Sequence, residues 1–209
     1  MSWDLTRCDD GVLRCGWCTA TPMYQQYHDQ EWGRPVADDR RLFEKLCLES
    51  FQAGLSWRTI LEKRSNFRAA FHQFDWAAMA AMGPQDVERL LQNAGIIRHR
   101  GKIEAVIHNA QRMPELLAEF GSLAAFVWSF EGLMPAQPEL ITLEHIRKHT
   151  TSPASDAMAK VLKKRGWKFL GSTTLHAFMQ SMGLVNDHLS GCASRDVVLQ
   201  MRDDFIIPS

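Results

Sequence analysis

Cysteine and histidine residues near both ends of the chain have the types and spacing of metal ligands. Cys15 and His28 lie near the start, while His188 and Cys192 form a His-x3-Cys pair that can reach one ion from a turn of helix or loop. A Cys2His2 set leaves no open position on a tetrahedral zinc ion, so the metal would be structural and would join the two ends. The spacing alone leaves Cys18 as an equal alternative to Cys15.

Cys15 and Cys18 also form a Cys-x-x-Cys motif, which occurs in thiol oxidoreductases. That chemistry needs a thiolate at a helix N-terminus, usually after a strand. No strand is predicted before the motif, and the residues that follow it, Thr19 to Pro22, do not predict a long helix. Redox catalysis is therefore the weakest of the functional hypotheses.

One carboxylate lies on the apolar face of a predicted helix. Leu42, Leu46 and Ala53 recur at spacings of three and four around Glu49, which predicts a helix from Asp39 to about residue 54. Burying a carboxylate is costly unless it is hydrogen-bonded or paired. The pattern favours equally a structural Glu49 that pairs with buried donors and a functional Glu49 at the bottom of an apolar pocket.

Aromatic side chains are concentrated on either side of this helix. They are compatible with simple core packing. Flat rings beside a buried carboxylate would also form a pocket for a flat heterocycle, particularly a cationic one, and a nucleobase is the obvious candidate. The rings are those of Trp17, Tyr24, Tyr27, Trp32 and Trp57.

Two short basic clusters are candidates for nucleic-acid binding, at residues 98–102 and 163–168. Each is compatible with an ordinary solvated surface. The second cluster, which includes Lys168, precedes a turn closed by Gly171. Such a turn frees backbone N–H groups at the start of a helix to bind a phosphate. A hairpin of two helices built this way binds the DNA backbone without reading its sequence.

Helical periodicity dominates the rest of the chain. It predicts helices beginning at Pro84, over 103–110, 116–130 and 155–165, and from a cap at Ser172 to about residue 182. No alternating pattern indicates a strand. The sequence therefore predicts an all-α protein of about eight to ten short helices in one folding unit, residues 14–192, with tails at 1–13 and 193–209.

Composition narrows the class of protein. The 209 residues are 45% hydrophobic and 23% charged, which is ordinary for a globular protein. Lys and Arg total 24, as do Asp and Glu, so binding of a polyanion would depend on a local patch. Five unevenly placed cysteines argue against a secreted disulfide framework. Without an apolar run of about 18 residues or a signal-peptide pattern, we expect a soluble cytoplasmic protein with no membrane partner.

Five motifs occur in order along the chain. They read RCGW at 14–17, YHDQEWG at 27–33, LE at 48–49 with QAGLSW at 52–57, AGIIRHRGKI at 94–103 and GLVNDH at 183–188. Together they closely resemble the 3-methyladenine DNA glycosylase I family, over about residues 14–192. Several long motifs in the right order are far more specific than the spacings considered above.

The resemblance implies a helix-hairpin-helix glycosylase fold, with the hairpin at about 155–182. It also implies an enzyme that removes 3-methyladenine, flipped out of double-stranded alkylated DNA, by hydrolysing the N-glycosidic bond. The expected protein is a monomer with one structural Zn²⁺. In this family the zinc ligands correspond to Cys15, His28, His188 and Cys192, which favours Cys15 over Cys18.

The resemblance further assigns Glu49 as the base-pocket carboxylate, with a role in recognition and charge stabilisation rather than as an established general base. It assigns Gly54 and Leu55 to a wedge that enters the base stack, and Lys168 and Gly171 to the DNA backbone anchor. The ring contacts to the base would be Trp17, Tyr27, Trp32 and Trp57.

The catalytic aspartate usual in this superfamily has no clear equivalent, because the zinc-ligand motif occupies its place. No lysine is evidently placed to form a Schiff base with the sugar. The sequence therefore predicts a monofunctional enzyme. The alternative is a non-catalytic binder of damaged DNA with the same fold.

Overall fold

The computed structural model describes residues 4–208 and is dominated by helices. The α-helices are α1 (Pro22–Gln30), α2 (Asp39–Gln52), α3 (Trp57–Glu62), α4 (Arg64–Ala70), α5 (Trp76–Ala80), α6 (Pro84–Leu91), α7 (Arg100–Phe120), α8 (Leu123–Trp128), α9 (Leu143–Lys148), α10 (Pro153–Lys164), α11 (Ser172–Ser181) and α12 (Ala193–Asp203). Short 3-10 turns occupy Gly16–Ala20, His72–Phe74 and Glu131–Leu133.

The prediction that the chain has no strands is wrong for its first residues. Strands β1 (Leu5–Arg7) and β2 (Leu13–Cys15) pair antiparallel, with Leu5 opposite Cys15. Each strand has only three residues, too few to show an alternating pattern. The hairpin brings residues assigned to a tail against Cys15.

Helix α2 lies at the centre of the fold. Nine of its residues are buried, and it packs against α7, α8 and α11. Its first turn is fixed because the Asp38 carboxylate accepts a hydrogen bond from the Arg41 N–H at 2.8 Å. Because α2 is buried on most of its surface, Lys45 and Glu49 lie in the protein interior beside its apolar residues.

Helices α10 and α11 form the predicted hairpin, joined by residues 165–171. Helix α10 begins with Pro153 after a Ser152 cap, and α11 begins at Ser172 with Gly171 as its N-cap. The sequence predicts Ser172 as the N-cap, whereas in the structure Ser172 is the first helical residue. The difference of one residue places the Gly171 backbone at the helix entrance.

The C-terminal segment predicted as a tail contains α12. Val198 is buried, the helix contacts β2, and the Phe205 ring lies 4.5 Å from the Trp128 ring. The apolar residues of this helix span little more than one turn of the sequence, which is why helical periodicity did not predict it.

No single helix within residues 4–208 is long and apolar enough to cross a membrane. One bent pair, Arg100–Phe120 with Leu123–Leu133, meets the length and composition test only when joined across a bend of 76°.

Candidate active site

Side chains from the two ends of the chain converge in a buried cluster. The ligand-capable atoms of Cys15, His28, His188 and Cys192 all lie within 4.8 Å of one another. Individual separations are 3.1 Å from His188 Nδ1 to His28 Nε2, 3.5 Å from Cys192 Sγ to His28 Nε2 and 3.9 Å from Cys15 Sγ to His188 Nδ1. Tetrahedral zinc with ordinary bond lengths would place such pairs about 3.3–3.6 Å apart. The donor set and its spacing fit that ion.

Neighbouring groups orient both imidazoles toward the cluster. His28 Nδ1 lies 2.7 Å from the Asp29 carboxylate, which Arg14 also binds. His188 Nε2 lies 3.1 Å from the Trp32 carbonyl oxygen. Each ring can therefore donate through one nitrogen and present the lone pair of the other, as metal-binding histidines do. Burial lowers the pKa of His188, which favours the neutral imidazole that a metal needs.

Gly183 helps to bring the last motif to this cluster. Its φ is +83°, and a Cβ there would lie 2.5 Å from the Pro35 nitrogen. Only glycine allows such an approach with a left-handed backbone. The chain therefore passes directly over residues 34–35 before it reaches His188.

The structure separates Cys18 from the metal-capable cluster. Cys18 is fully buried, and burial raises the pKa of its thiol to about 12. A reactive cysteine needs the opposite shift, because the thiolate is the nucleophile. The Cys-x-x-Cys redox hypothesis thus has no support from the environment of Cys18.

A cavity of about 500 Å³ adjoins the cluster and lies over the C-terminal half of α2. This volume suits a small organic molecule such as a purine. The cavity is lined by Trp17, Ala20, Tyr24, Tyr27, Trp32, Lys45, Glu49, Gln52, Leu55, Ser56, Trp57, Arg58, Leu143, Ile146, Ala177, Gln180 and Leu189. All five predicted base-pocket residues are among them, as is Leu55.

The aromatic residues form two groups around the cavity. Tyr27 and Trp57 have ring centroids 5.4 Å apart at an angle of 41°. Trp17 and Trp32 meet edge to face at 5.2 Å. The rings of the second group also contact the metal-capable cluster, since Trp17 lies 5.2 Å from the His28 ring. One wall of the cavity is therefore built on the cluster.

Glu49 is buried in the cavity wall and carries an ion pair. Its Oε1 lies 2.9 Å from the Nζ of Lys45, one helical turn earlier on α2. The same Nζ donates to the Tyr27 hydroxyl at 2.8 Å and lies 3.1 Å from the Trp57 ring centroid. Both readings of Glu49 are thus partly met: it pairs with a buried cation, and it faces a ligand-sized cavity.

The turn between α2 and α3 projects Leu55 from the edge of the cavity. Gly54 has φ +80°, which favours glycine, and the Leu55 side chain is 42% exposed. The buried Lys102 donates to the carbonyls of Phe51 and Ala53, so it fixes the last turn of α2. An exposed leucine on a braced turn has the geometry of an apolar wedge.

The hairpin turn is held by one buried amide. Asn109 of α7 donates to the Lys168 carbonyl at 3.0 Å and accepts from the Lys168 N–H at 2.8 Å. Gly171 has an ordinary φ of −82°, and a Cβ there would meet open space. Folding therefore does not require glycine at 171, whereas close approach of a phosphate to its N–H would.

Comparison with known proteins gives the chain its family. A sequence profile of the methyladenine glycosylase family matches residues 17–195. The chain belongs to the methyladenine glycosylase family. This confirms the resemblance drawn from its five motifs.

Relatives of this methyladenine glycosylase are similar over almost their full lengths. It is 54% identical to "DNA-3-methyladenine glycosylase 1" of Escherichia coli over 86% of the chain and 95% of the relative. A crystal structure of 3-methyladenine DNA glycosylase I superposes with a TM-score of 0.81 at 55% identity, covering 86% of this chain and 98% of the other. The Staphylococcus aureus enzyme, described for its 3-methyladenine recognition, gives 0.78 at 37% identity, covering 87% and 96%.

Sequence reasoning missed several polar residues of the cavity, among them Lys45 and Gln180. Lys45 stands four residues before Glu49, a spacing that could have indicated a buried pair. Gln180 lies on α11, and its amide donates to the buried Asp187 at 2.7 Å, as does that of Gln137 at 2.9 Å. Asp187 occupies the stretch where the superfamily's aspartate would be expected, and both its oxygens are engaged by these glutamines.

Proposed function

We propose that this methyladenine glycosylase excises 3-methyladenine from alkylated double-stranded DNA by hydrolysing the N-glycosidic bond. The observation that carries the proposal is a buried carboxylate, Glu49, in a purine-sized cavity walled by aromatic rings. The names of the Escherichia coli and Staphylococcus aureus relatives support the same base and the same reaction. Under this proposal the protein works as a monomer in the cytoplasm.

The chemistry of the lesion fits this pocket. Methylation at N3 makes the base in DNA cationic and therefore a good leaving group. A carboxylate stabilises that positive charge, and the faces of Tyr27 and Trp57 attract it. The base has to leave the duplex to reach Glu49, which is the usual requirement for enzymes acting on a nucleobase. The protein then contributes mainly by extruding and holding the base, with Glu49 as the catalytic residue.

We infer that the DNA is held at two places beside this pocket. Leu55, braced through Gly54 and Lys102, would enter the base stack and fill the space that the flipped base leaves. The hairpin turn would bind the backbone through the N–H groups at the start of α11 and through Lys168.

We also infer one structural zinc ion at Cys15, His28, His188 and Cys192. Four protein ligands complete a tetrahedral site, so the ion would have no position for substrate or water. It would tie β2 and α1 to the segment before α12. These two parts of the chain also support Trp17 and Trp32.

The experiment that tests the function uses purified protein and methylated duplex DNA. Released bases are identified by chromatography, and the abasic product is measured separately. We expect selective release of 3-methyladenine without strand cleavage, because the reaction is hydrolysis alone. A folded protein that binds this DNA but releases no base would establish the alternative, a non-catalytic binder of damaged DNA.

Replacing Lys168 by alanine tests the backbone anchor. We expect DNA affinity to fall about equally for methylated and undamaged duplexes, and the slope of log affinity against log salt to decrease by about 1. Affinity is measured by fluorescence anisotropy at several salt concentrations. Arg40→Ala is the matched control. It removes an exposed cation at the N-terminal end of α2, the end away from the cavity. An unchanged slope in Lys168→Ala would remove Lys168 from the DNA contact.

A further inference from the structure

Lys45 is a buried cation in a pocket proposed to receive a cation. Its side chain is 5% exposed, and its Nζ lies 2.9 Å from Glu49 Oε1. The same atom is 2.8 Å from the Tyr27 hydroxyl and 3.1 Å from the Trp57 ring centroid. A carboxylate, a phenol oxygen and an aromatic face are the contacts that a flat, positively charged base would itself use.

We propose that Lys45 competes with the cationic base for Glu49, and that Lys45 releases its proton when that base binds. This inference rests on the proposed function, since it concerns the same pocket. It makes Lys45 a specificity-determining residue. The ammonium fills the site in the free protein, and a base without positive charge would form no ion pair with Glu49 by displacing it.

The charge balance between Lys45, Glu49 and the base supports the release of a proton from Lys45. In the free protein, Glu49 and Lys45 form a neutral pair. A cationic base added to that pair would leave an uncompensated positive charge in a region shielded from water, which is unfavourable. Loss of one proton from Lys45 leaves Glu49 paired with the base, so the pocket remains neutral.

The surroundings of Lys45 make this proton loss accessible near neutral pH. The pKa of Lys45 is lowered to about 8, mainly by burial and also by Arg64, and this value already includes the opposing effects of Glu49 and Glu31. The charged or titratable groups around it are Glu49, Glu44 and Arg41 on α2, Tyr24, Tyr27 and Glu31 on and after α1, Arg58 on α3, and Arg64 and Arg68 on α4.

A second, smaller cavity offers the proton a route away from the base. Its volume is about 40 Å³, enough for a water molecule, and its lining is largely charged. Lys45, Tyr27 and Trp57 line both cavities. Arg64 and Arg68 already bind the Glu31 and Glu44 carboxylates of this cavity, so water in it, rather than a carboxylate, would carry the proton away while the base occupies the larger cavity.

The same exchange would assist product release. When the glycosidic bond breaks, its electron pair stays on the base, which becomes neutral. Water supplies the oxygen that bonds to the sugar carbon and gives up one proton. Lys45 takes up a proton from solvent, pairs again with Glu49, and removes the charge interaction that retained the base.

The test measures the affinity of the 3,9-dimethyladenine cation by tryptophan fluorescence from pH 6.5 to 9. For the wild-type protein we expect affinity to rise about tenfold between pH 7 and pH 9 and to level off above the pKa of Lys45. Calorimetry in two buffers at pH 7 should show release of about one proton. Lys45→Met should bind about tenfold more tightly at pH 7, with no pH dependence.

Two further variants make the result decisive. Lys45→Arg, which keeps its charge over this range, should bind weakly at every pH. Lys160→Met, at an exposed site on α10, should retain the wild-type profile. If Lys45→Met does not fold, the wild-type and Lys45→Arg profiles decide the question.

A flat wild-type profile, or weaker binding by folded Lys45→Met at pH 7, would overturn the inference. A wild-type protein that binds the cation and releases 3-methyladenine with a flat profile would contradict this inference alone. A wild-type protein that does neither would contradict the proposed function itself.

Discussion

Replacing Glu49 by glutamine is expected to reduce the release of 3-methyladenine from methylated DNA by about 10- to 100-fold. Glutamine keeps the shape of the side chain and its acceptor oxygen but removes the negative charge. Hydrogen bonds to charged groups contribute roughly 1.5–3 kcal/mol, which corresponds to this range of rate. The loss should appear in the single-turnover rate, because the positive charge on the base is what the carboxylate stabilises.

The fold should survive this substitution when it is tested at pH 8. Breaking a buried ion pair normally leaves an uncompensated charge. Here the remaining partner is Lys45, whose pKa is already lowered to about 8 by burial, and the loss of Glu49 lowers that pKa further. Lys45 can therefore become neutral in the variant at small cost.

Circular dichroism and thermal melting at pH 8 check the fold, and Glu115→Gln, at an exposed position of α7, is the matched control. Global unfolding of Glu49→Gln would establish Glu49 as a structural residue. Base release at the wild-type rate by the folded variant would show that the charge of Glu49 does not act on the substrate.

Helices α2, α6, α10 and α11 could be predicted because their signals are local. Asp38 before α2, Pro84 in α6 and Gly166 after α10 stand where the structure begins or ends a helix. Apolar spacing also identified the face of α2 that carries Glu49. In these helices the capping residues and the apolar spacing lie within a few residues of each other, so a short stretch of sequence is enough to predict the helix.

The short elements could not be predicted in the same way. Helices α3, α4, α5 and α9 have five to seven residues, so each shows at most two turns of periodicity. Their stability comes from tertiary packing rather than from their own sequence. The strands Leu5–Arg7 and Leu13–Cys15 fail for the same reason.

The candidate site shows a similar division. The buried position of Glu49 follows from helical spacing, but the partner at Lys45 depends on three helices that surround it. The pairing of residues near 15 and 28 with residues near 188 and 192 spans about 160 positions, and no local pattern encodes such a contact. Residue types and the His-x3-Cys spacing raised that convergence as a possibility, and the family resemblance alone made it specific and favoured Cys15 over Cys18.

Replacing Cys192 by serine is expected to abolish stoichiometric zinc binding and to lower the melting temperature by roughly 10–20 °C. A serine hydroxyl is a poor substitute for a thiolate ligand. The ion would close a loop of more than 150 residues, and a covalent cross-link of that length contributes about 4–5 kcal/mol in the chain-entropy description. In a protein of this size, each kcal/mol shifts the melting temperature by about 2–4 °C.

Metal content is measured by mass spectrometry on protein purified without added chelator, and melting by calorimetry. Cys18→Ser is the matched control, because Cys18 is also buried and lies three residues from Cys15 but outside the metal-capable cluster. It should retain its zinc. Removal of zinc from the wild-type protein with a chelator should reproduce the lower melting temperature. Unchanged metal content in Cys192→Ser would remove Cys192 from the ligand set.

The same variant should also bind 3-methyladenine less well, although no metal ligand contacts the base site directly in this proposal. The Trp32 ring lies 4.7 Å from the His188 ring, and Trp17 lies 5.2 Å from the His28 ring. If the cluster loosens, the wall of the cavity formed by these two rings loses its support, while Tyr27, Glu49 and Trp57 are still held by α1, α2 and α3. We therefore expect affinity to fall before the folded state is lost, so that a decrease measured well below the melting temperature would link the metal to the pocket through the two tryptophans.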